Sequence, residues 1–182
     1  MSPEVSAFRP ARSSRSSRNI RRPMTRPEAP VERLRSTWRG LSAMPGGKWA
    51  FSKLFSRFIP YSGSVAPEIL ELSPGRAVIA IEERRRVRNH LRCVHAIALA
   101  NLGEMSTGLA LGFGMPAGTR SILVRLSCEY LKKARGRLVA TAEAPAVASS
   151  ETRDYEVTSL IRDGQGEVVA KTVAVWKVGP DR

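Results

Sequence analysis

Asn89-His90-Leu91-Arg92-Cys93-Val94-His95-Ala96-Ile97-Ala98-Leu99-Ala100-Asn101-Leu102-Gly103-Glu104 sets an amide, an imidazole and a carboxylate around what reads as the start of a helix. The run continues to about Phe113, mostly apolar, with small residues at Ala96, Ala98, Ala100, Gly103, Ser106, Gly108 and Ala110. A helix that is apolar nearly all round must be buried, and small side chains let its backbone lie close to a sheet. Glu104 stands alone on this run. A lone carboxylate is costly to bury, so it reaches water, finds a partner or is kept for chemistry. Gly112, Gly114, Pro116 and Gly118 then break the helix.

Strand signals surround it. Residues 65–72 and 77–81 flank a Ser73-Pro74-Gly75 turn, and residues 119–131, 137–144, 154–162 and 168–178 follow downstream. The alternation in Val139-Ala140-Thr141-Ala142-Glu143 and Val173-Ala174-Val175-Trp176-Lys177 fits a sheet with one wet face. One buried helix followed by consecutive antiparallel strands predicts an α+β fold, a sheet wrapped on a helix. Upstream, residues 49–59 put Phe51, Leu54, Phe55, Phe58 and Ile59 on one stripe with Lys53 and Arg57 elsewhere, an amphipathic helix ended by Pro60. That helix caps the core, closes as a lid or meets a membrane surface. Helical spacing itself begins near Val31.

The length of 182 residues is one domain's worth. The expected division is a disordered basic tail over 1–30 and a single domain over 31–182. Residues 1–30 hold seven Arg against Glu4 and Glu28, a net +5 of the chain's +14, with almost nothing apolar to bury. An Arg- and Ser-rich, acid-poor opening reads as a flexible tail, as an overlong start with Met24 or Met44 as the initiator, or as a mitochondrial transit peptide. The expected location is accordingly cytoplasmic, or the mitochondrial matrix on the last reading. No apolar run is expected to reach the length that spans a bilayer. Cys93 and Cys128 lie far apart, and with two histidines in the chain they argue against a zinc site. They are expected to be reduced core thiols, a disulfide being the alternative.

Asn89, five residues, His95, and then Glu104 nine positions on resembles the motif of the hotdog-fold acyl-CoA thioesterases of the phenylacetyl-CoA and 4-hydroxybenzoyl-CoA type. Their His-Gly-Gly is here His95-Ala96-Ile97, a departure at both glycines. The resemblance extends over about residues 49–178, including Tyr130-Leu131-Lys132-Lys133-Ala134-Arg135-Gly136 and the hairpin around Asp163-Gly164-Gln165-Gly166. It implies a hotdog fold and hydrolysis of an acyl-CoA substrate. No separate cofactor is implied, because the coenzyme A moiety is part of the substrate. At about 100° and 1.5 Å per residue, Glu104 lies on the side of the helix opposite His95 and roughly 13 Å further along. The resemblance therefore implies a composite site in a homodimer or a dimer of dimers, with Asn89, His95 and the Ala96 or Ile97 amide from one chain and Glu104 from the other.

Thioester hydrolysis suggests the roles. The Ala96 or Ile97 N–H would meet the oxyanion at a helix N-terminus. Glu104 would be general base on water, or alternatively a nucleophile giving an anhydride. Asn89 would hold the water or the carbonyl, His95 would brace the loop, and Thr107 would orient the carboxylate. The bland readings are a turn cap for Asn89, a helix-start histidine for His95, an interface acid for Glu104 and helix filler for Thr107.

Arg84, Arg85, Arg86, Arg88 and Arg92 invite the phosphates of coenzyme A, which Arg engages bidentately. A solvated charge run fits the same residues, and so does a nucleic-acid backbone, although no nucleic-acid motif or aromatic platform accompanies them. Two further function classes stay open. One is a non-catalytic module that binds acyl-CoA or a partner of the basic tail. The other is a hotdog dehydratase, because His90 lies fourteen residues before Glu104; Leu91-Arg92 and Ala98-Leu99 depart from that family's pattern.

Overall fold

The computed structural model describes residues 30–181. The expected basic tail thus lies outside the described residues, except for Pro30. Three helical segments come first: α1 (Pro30–Leu41), α2 (Gly47–Phe58) and the single turn α3 (Pro60–Gly63). The hairpin β1 (Glu68–Ser73) and β2 (Arg76–Glu82) precedes the long helix α4 (Ala96–Gly114). The remaining strands are β3 (Thr119–Tyr130), β4 (Arg137–Glu143), β5 (Arg153–Arg162) and β6 (Val168–Pro180). They form one antiparallel sheet in the order β1-β2-β4-β5-β6-β3, with α4 against its concave face.

The apolar run around Glu104 is therefore the core helix. Leu102, Ala110 and Leu111 are fully buried against an inner sheet face rich in small residues, Ala77, Ala140, Ala142, Ala170 and Ala174. Ala96–Gly114 is long and apolar enough to cross a bilayer by length and composition, contrary to the expectation that no run is. Here 72% of that window is buried inside the fold, so the sheet meets its apolarity.

Two glycines set how close α4 comes. A Cβ on Gly103 would stand 2.1 Å from Thr172 Oγ1 and 2.6 Å from its Cβ, and one on Gly108 would stand 2.9 Å from the Trp176 ring. Thr172 is β-branched, buried and fixed by its strand, so it cannot swing away. Two buried hydroxyls close the seam, Ser106 donating to Ser159 Oγ or to the Gly103 carbonyl at 2.8 and 3.0 Å.

The expected helix is present as α2, but its stripe is split: Phe51 and Phe55 are buried, whereas Leu54, Phe58 and Ile59 are exposed, because the fold covers only a narrow face of this helix. The helix α1 adds a second one in front of it. Trp38 of α1 packs edge-on to Phe51 of α2 at 4.9 Å and donates its indole N–H to the Leu72 carbonyl of β1. Arg35 donates to the carbonyls of Gly112 and Met115, capping the C-terminus of α4 with a cation where the helix dipole is negative. Of the two cysteines, both free thiols, Cys93 is buried; Cys128 is only half-buried, because it sits on the edge strand β3, its Sγ 3.7 Å from Thr172 Oγ1.

Overpacking a close backbone contact costs about 1–3 kcal/mol. Gly103→Ala should lower the urea midpoint by an equivalent amount, whereas Gly164→Ala, at a turn with open space around it, should leave that midpoint close to wild type.

Candidate active site

The start of α4 is built by a tight loop. A 3-10 turn, Arg85–Val87, leads into Asn89, and the chain doubles back through an Arg88–Val94 bridge. Asn89 N–H donates to the Cys93 carbonyl at 2.9 Å, and the Asn89 Oδ1 accepts from Leu91 N–H at 2.9 Å and Cys93 N–H at 3.3 Å. The Asn89 carbonyl accepts from Arg92 N–H, and Arg92 takes a left-handed φ of 53° at the tip. Asn89 thus caps the turn through its oxygen, and its Nδ2 points to no acceptor among the described residues.

His95 is the N-cap of α4. Its Nδ1 accepts from Ile97 N–H at 3.0 Å, and its own N–H donates to the Val87 carbonyl at 2.7 Å. An accepting Nδ1 places the proton of neutral His95 on Nε2. The imidazole therefore caps the helix, and only its backbone ties down the loop. This bond also decides between the two amides. Ile97 N–H is spent on His95, which leaves Ala96 N–H as the free donor at the positive end of the helix.

Three adjoining grooves surround this point. Asn89, Cys93, Ala96, Leu99, Tyr130 and Lys132 line one of about 320 Å³, where Tyr130 donates its hydroxyl to the Ala96 carbonyl at 3.2 Å. Arg86, His95, Ile97, Asn101 and Tyr61 line a second of about 450 Å³. Tyr61, Ile97, Asn101, Glu104, Leu123 and Leu126 line a third of about 400 Å³. Asn89 and Ala96 therefore share a cleft, whereas Glu104 opens elsewhere, between α4 and the edge strand β3. The second and third grooves join along Tyr61, Ile97 and Asn101.

The Glu104 carboxylate is half-buried and has no hydrogen-bond or ion-pair partner among the described residues. Burial pushes its pKa above the ordinary glutamate value. Thr107 does not orient it, contrary to expectation. That hydroxyl donates to the Glu104 backbone carbonyl at 2.8 Å and accepts from the Trp176 indole at 3.2 Å, so it belongs to the helix–sheet seam.

The arginine run divides. Arg84 donates to the Val65 carbonyl at 2.6 Å, and Arg88 pairs with Glu83 at 2.6 Å. The Gly136 N–H and then Arg88 hold Glu83 below the usual carboxylate range. Arg84 and Arg88 thus each have a partner within the fold. Arg85, Arg86 and Arg92 are exposed without an ion-pair partner among the described residues, and Arg86 borders the His95 groove.

Sequence reasoning missed Asn101, Tyr61 and Tyr130. Asn101 is buried and donates to the Tyr61 carbonyl at 3.3 Å. It carried the signal that singled out Glu104, a polar side chain on an apolar helix. The tyrosines carried none, since tertiary contact alone brings α3 and the end of β3 to this helix.

Residues 47–178 match a family described as a domain of unknown function, DUF4442. A crystal structure from structural genomics is 30% identical, over 84% of this chain and 99% of that one, with a TM-score of 0.71. A thioesterase family protein from Silicibacter pomeroyi is 19% identical, over 71% and 96%, with a TM-score of 0.61. A substituted form of the phenylacetic acid degradation protein of Thermus thermophilus is 20% identical, over 65% and 97%, with a TM-score of 0.56. The last two show the fold, which is the hotdog fold. No protein with a curated description matches.

A carboxyl whose pKa the fold raises favours its protonated form. The stability that form contributes is present below the unfolded pKa and lost as pH rises through the folded one. Glu104→Gln, which mimics the protonated carboxyl, should therefore match the wild-type Tm in acid and exceed it near neutrality. Thermal melts across pH check this.

Proposed function

This chain belongs to the DUF4442 family, and we propose that it is an acyl-CoA thioesterase-like hydrolase working at a site shared by two copies of the chain. The observation that carries the reading is Glu104, a partnerless half-buried carboxylate facing an apolar groove on the same helix whose first amide is free. Solved thioesterases on the same fold support it.

The chemistry follows from these groups. A water against Glu104 attacks the thioester carbonyl carbon and gives its proton to the carboxylate. Charge then develops on the former carbonyl oxygen, where Ala96 N–H and the helix dipole meet it. Asn89 Nδ2 donates to the same oxygen or to the incoming group. Collapse breaks the carbon–sulfur bond, the proton passes from Glu104 to the departing thiolate, and an acid and a thiol leave. A raised pKa suits Glu104 to this exchange, because its two protonation states lie closer in energy near neutral pH.

Eight residues separate Ala96 from Glu104, about 12 Å of helix. One chain cannot bring both to one thioester. β3 ends the sheet, with β6 on one side and no partner on the other among the described residues, and its Leu123 and Leu126 line the Glu104 groove. A second copy against that edge would complete the site and cover the open ladder. Arg85, Arg86 and Arg92, exposed and without an ion-pair partner among the described residues, are the cations we assign to the coenzyme A phosphates.

A non-catalytic acyl-CoA-binding module is the second reading. It is favoured by Ile97, whose side chain is 55% exposed in the groove where the resembled motif has glycine. Turnover of an acyl-CoA panel separates the two.

Glu104→Ala should lower hydrolysis by ~10²–10⁴ while the protein stays folded. Full activity in that variant would remove the mechanism. Co-expressed Asn89→Ala and Glu104→Ala chains should recover part of the activity, because a mixed dimer keeps one site with both groups native. Arg85→Ala with Arg86→Ala should raise KM, leave kcat unchanged and flatten the rise of KM with salt. Arg84→Ala should instead lower the melting temperature, because Val65 loses its donor.

A further inference from the structure

We propose that the outer face of α2 and the turn after it dock on an anionic lipid surface. The inner side of this helix buries Phe51 and Phe55. The outer side is not polar, as a solvent-facing helix would be. Trp49 is 66% exposed, Phe58 72% and Tyr61 68%, and Leu54 and Ile59 lie open beside them. At 100° per residue Trp49, Lys53, Arg57, Leu54 and Phe58 follow one another around a single outward arc. Single exposed apolar residues are ordinary; five on one short helix and the turn after it mark a surface that meets something.

Charge identifies the occupant. Between Glu32 and Glu68 the chain has no acidic residue and carries Arg33, Arg35, Arg39, Lys48, Lys53 and Arg57, and the two acids that share a groove with Trp49 and Lys53, Glu68 and Glu82, are paired with Arg137. Arg35 and Lys48 are engaged with backbone carbonyls. Lys53 and Arg57 stay exposed in the middle of the apolar arc, Lys53 lying 5.7 Å from the Trp49 ring. A second copy would set these cations against their own kind, and interface cores are poor in charge. A nucleic-acid backbone would satisfy the cations and leave Leu54 and Ile59 with nothing to bury against. An anionic bilayer satisfies both: basic and aromatic residues sit at headgroup level while aliphatic ones enter the acyl boundary. Tyr61 belongs to this face and also lines the grooves of Ile97 and Glu104.

The test uses the full chain with vesicles of phosphatidylglycerol and phosphatidylcholine, and with phosphatidylcholine alone. Trp38 and Trp176 are buried, so Trp49 reports the face. The expected result is flotation with the anionic vesicles, a blue shift of tryptophan emission and quenching by brominated lipid. Phe58→Ser with Ile59→Ser, and separately Lys53→Glu with Arg57→Glu, should weaken vesicle binding at least tenfold with an unchanged melting temperature. Several outcomes would overturn the proposal. One is emission that vesicles do not change. Another is vesicle binding that neither pair of substitutions weakens, which would assign it to another basic segment. A third is equal loss of binding to a short DNA duplex by the Lys53 and Arg57 pair together with unchanged emission on vesicles. A fourth is a fall in oligomeric state without loss of vesicle binding, which would assign the face to a second copy.

Discussion

The close approach of α4 to β6 is the constraint on which the rest depends. Gly103 against Thr172 and Gly108 against Trp176 leave no room for a methyl group, so the helix axis lies as near the sheet as backbone allows. Small side chains on the facing strands let the sheet wrap around it, and the first three helical segments cover what the sheet leaves open. The Arg35 clip on the Gly112 and Met115 carbonyls then closes the far end of the helix. Dense packing of this kind makes the position of α4 discrete instead of adjustable.

A helix held that firmly gives its exposed points fixed places. Its N-terminus meets the loop from Asn89 to Val94, and one turn of hydrogen bonds there settles which amide is free. One face emerges beside β3 at Glu104, where no neighbour among the described residues supplies a hydrogen bond. The buried seam and the open face thus share one helix: Thr107, three residues beyond Glu104, turns inward to Trp176 while the carboxylate turns outward. Most of the helix contributes stability, while its free first amide and the partnerless Glu104 are held at a cost to that stability.

Charge shows the same division between local and long-range effects. Five arginines look alike in sequence between residues 84 and 92. Two of them hold the loop, through the Val65 carbonyl and Glu83, and three remain to face solvent or ligand. Position in the chain does not separate these groups, because the Val65 carbonyl comes from before β1 and Glu83, which takes Arg88, is itself held by the Gly136 N–H from before β4.

Hydrophobic period and punctuation alone determined the α+β layout here, since burial of an all-apolar helix leaves few alternatives to a surrounding sheet. The six strands lie within a few residues of their sequence-based bounds because alternation and the Pro74-Gly75 and Gly164-Gln165 turns are local signals. Glu104, Asn89 and His95 were legible as an unusual set for the same reason. Their bonding was not. That Ile97 N–H is used and Ala96 N–H is free, that Thr107 serves Trp176, and that Tyr61, Asn101 and Tyr130 gather at the helix start are matters of distance between segments far apart in the chain. Periodicity says which face of an element is buried. It does not say which donor meets which acceptor, because that depends on how deep the elements settle, and here the two glycines of α4 decide it.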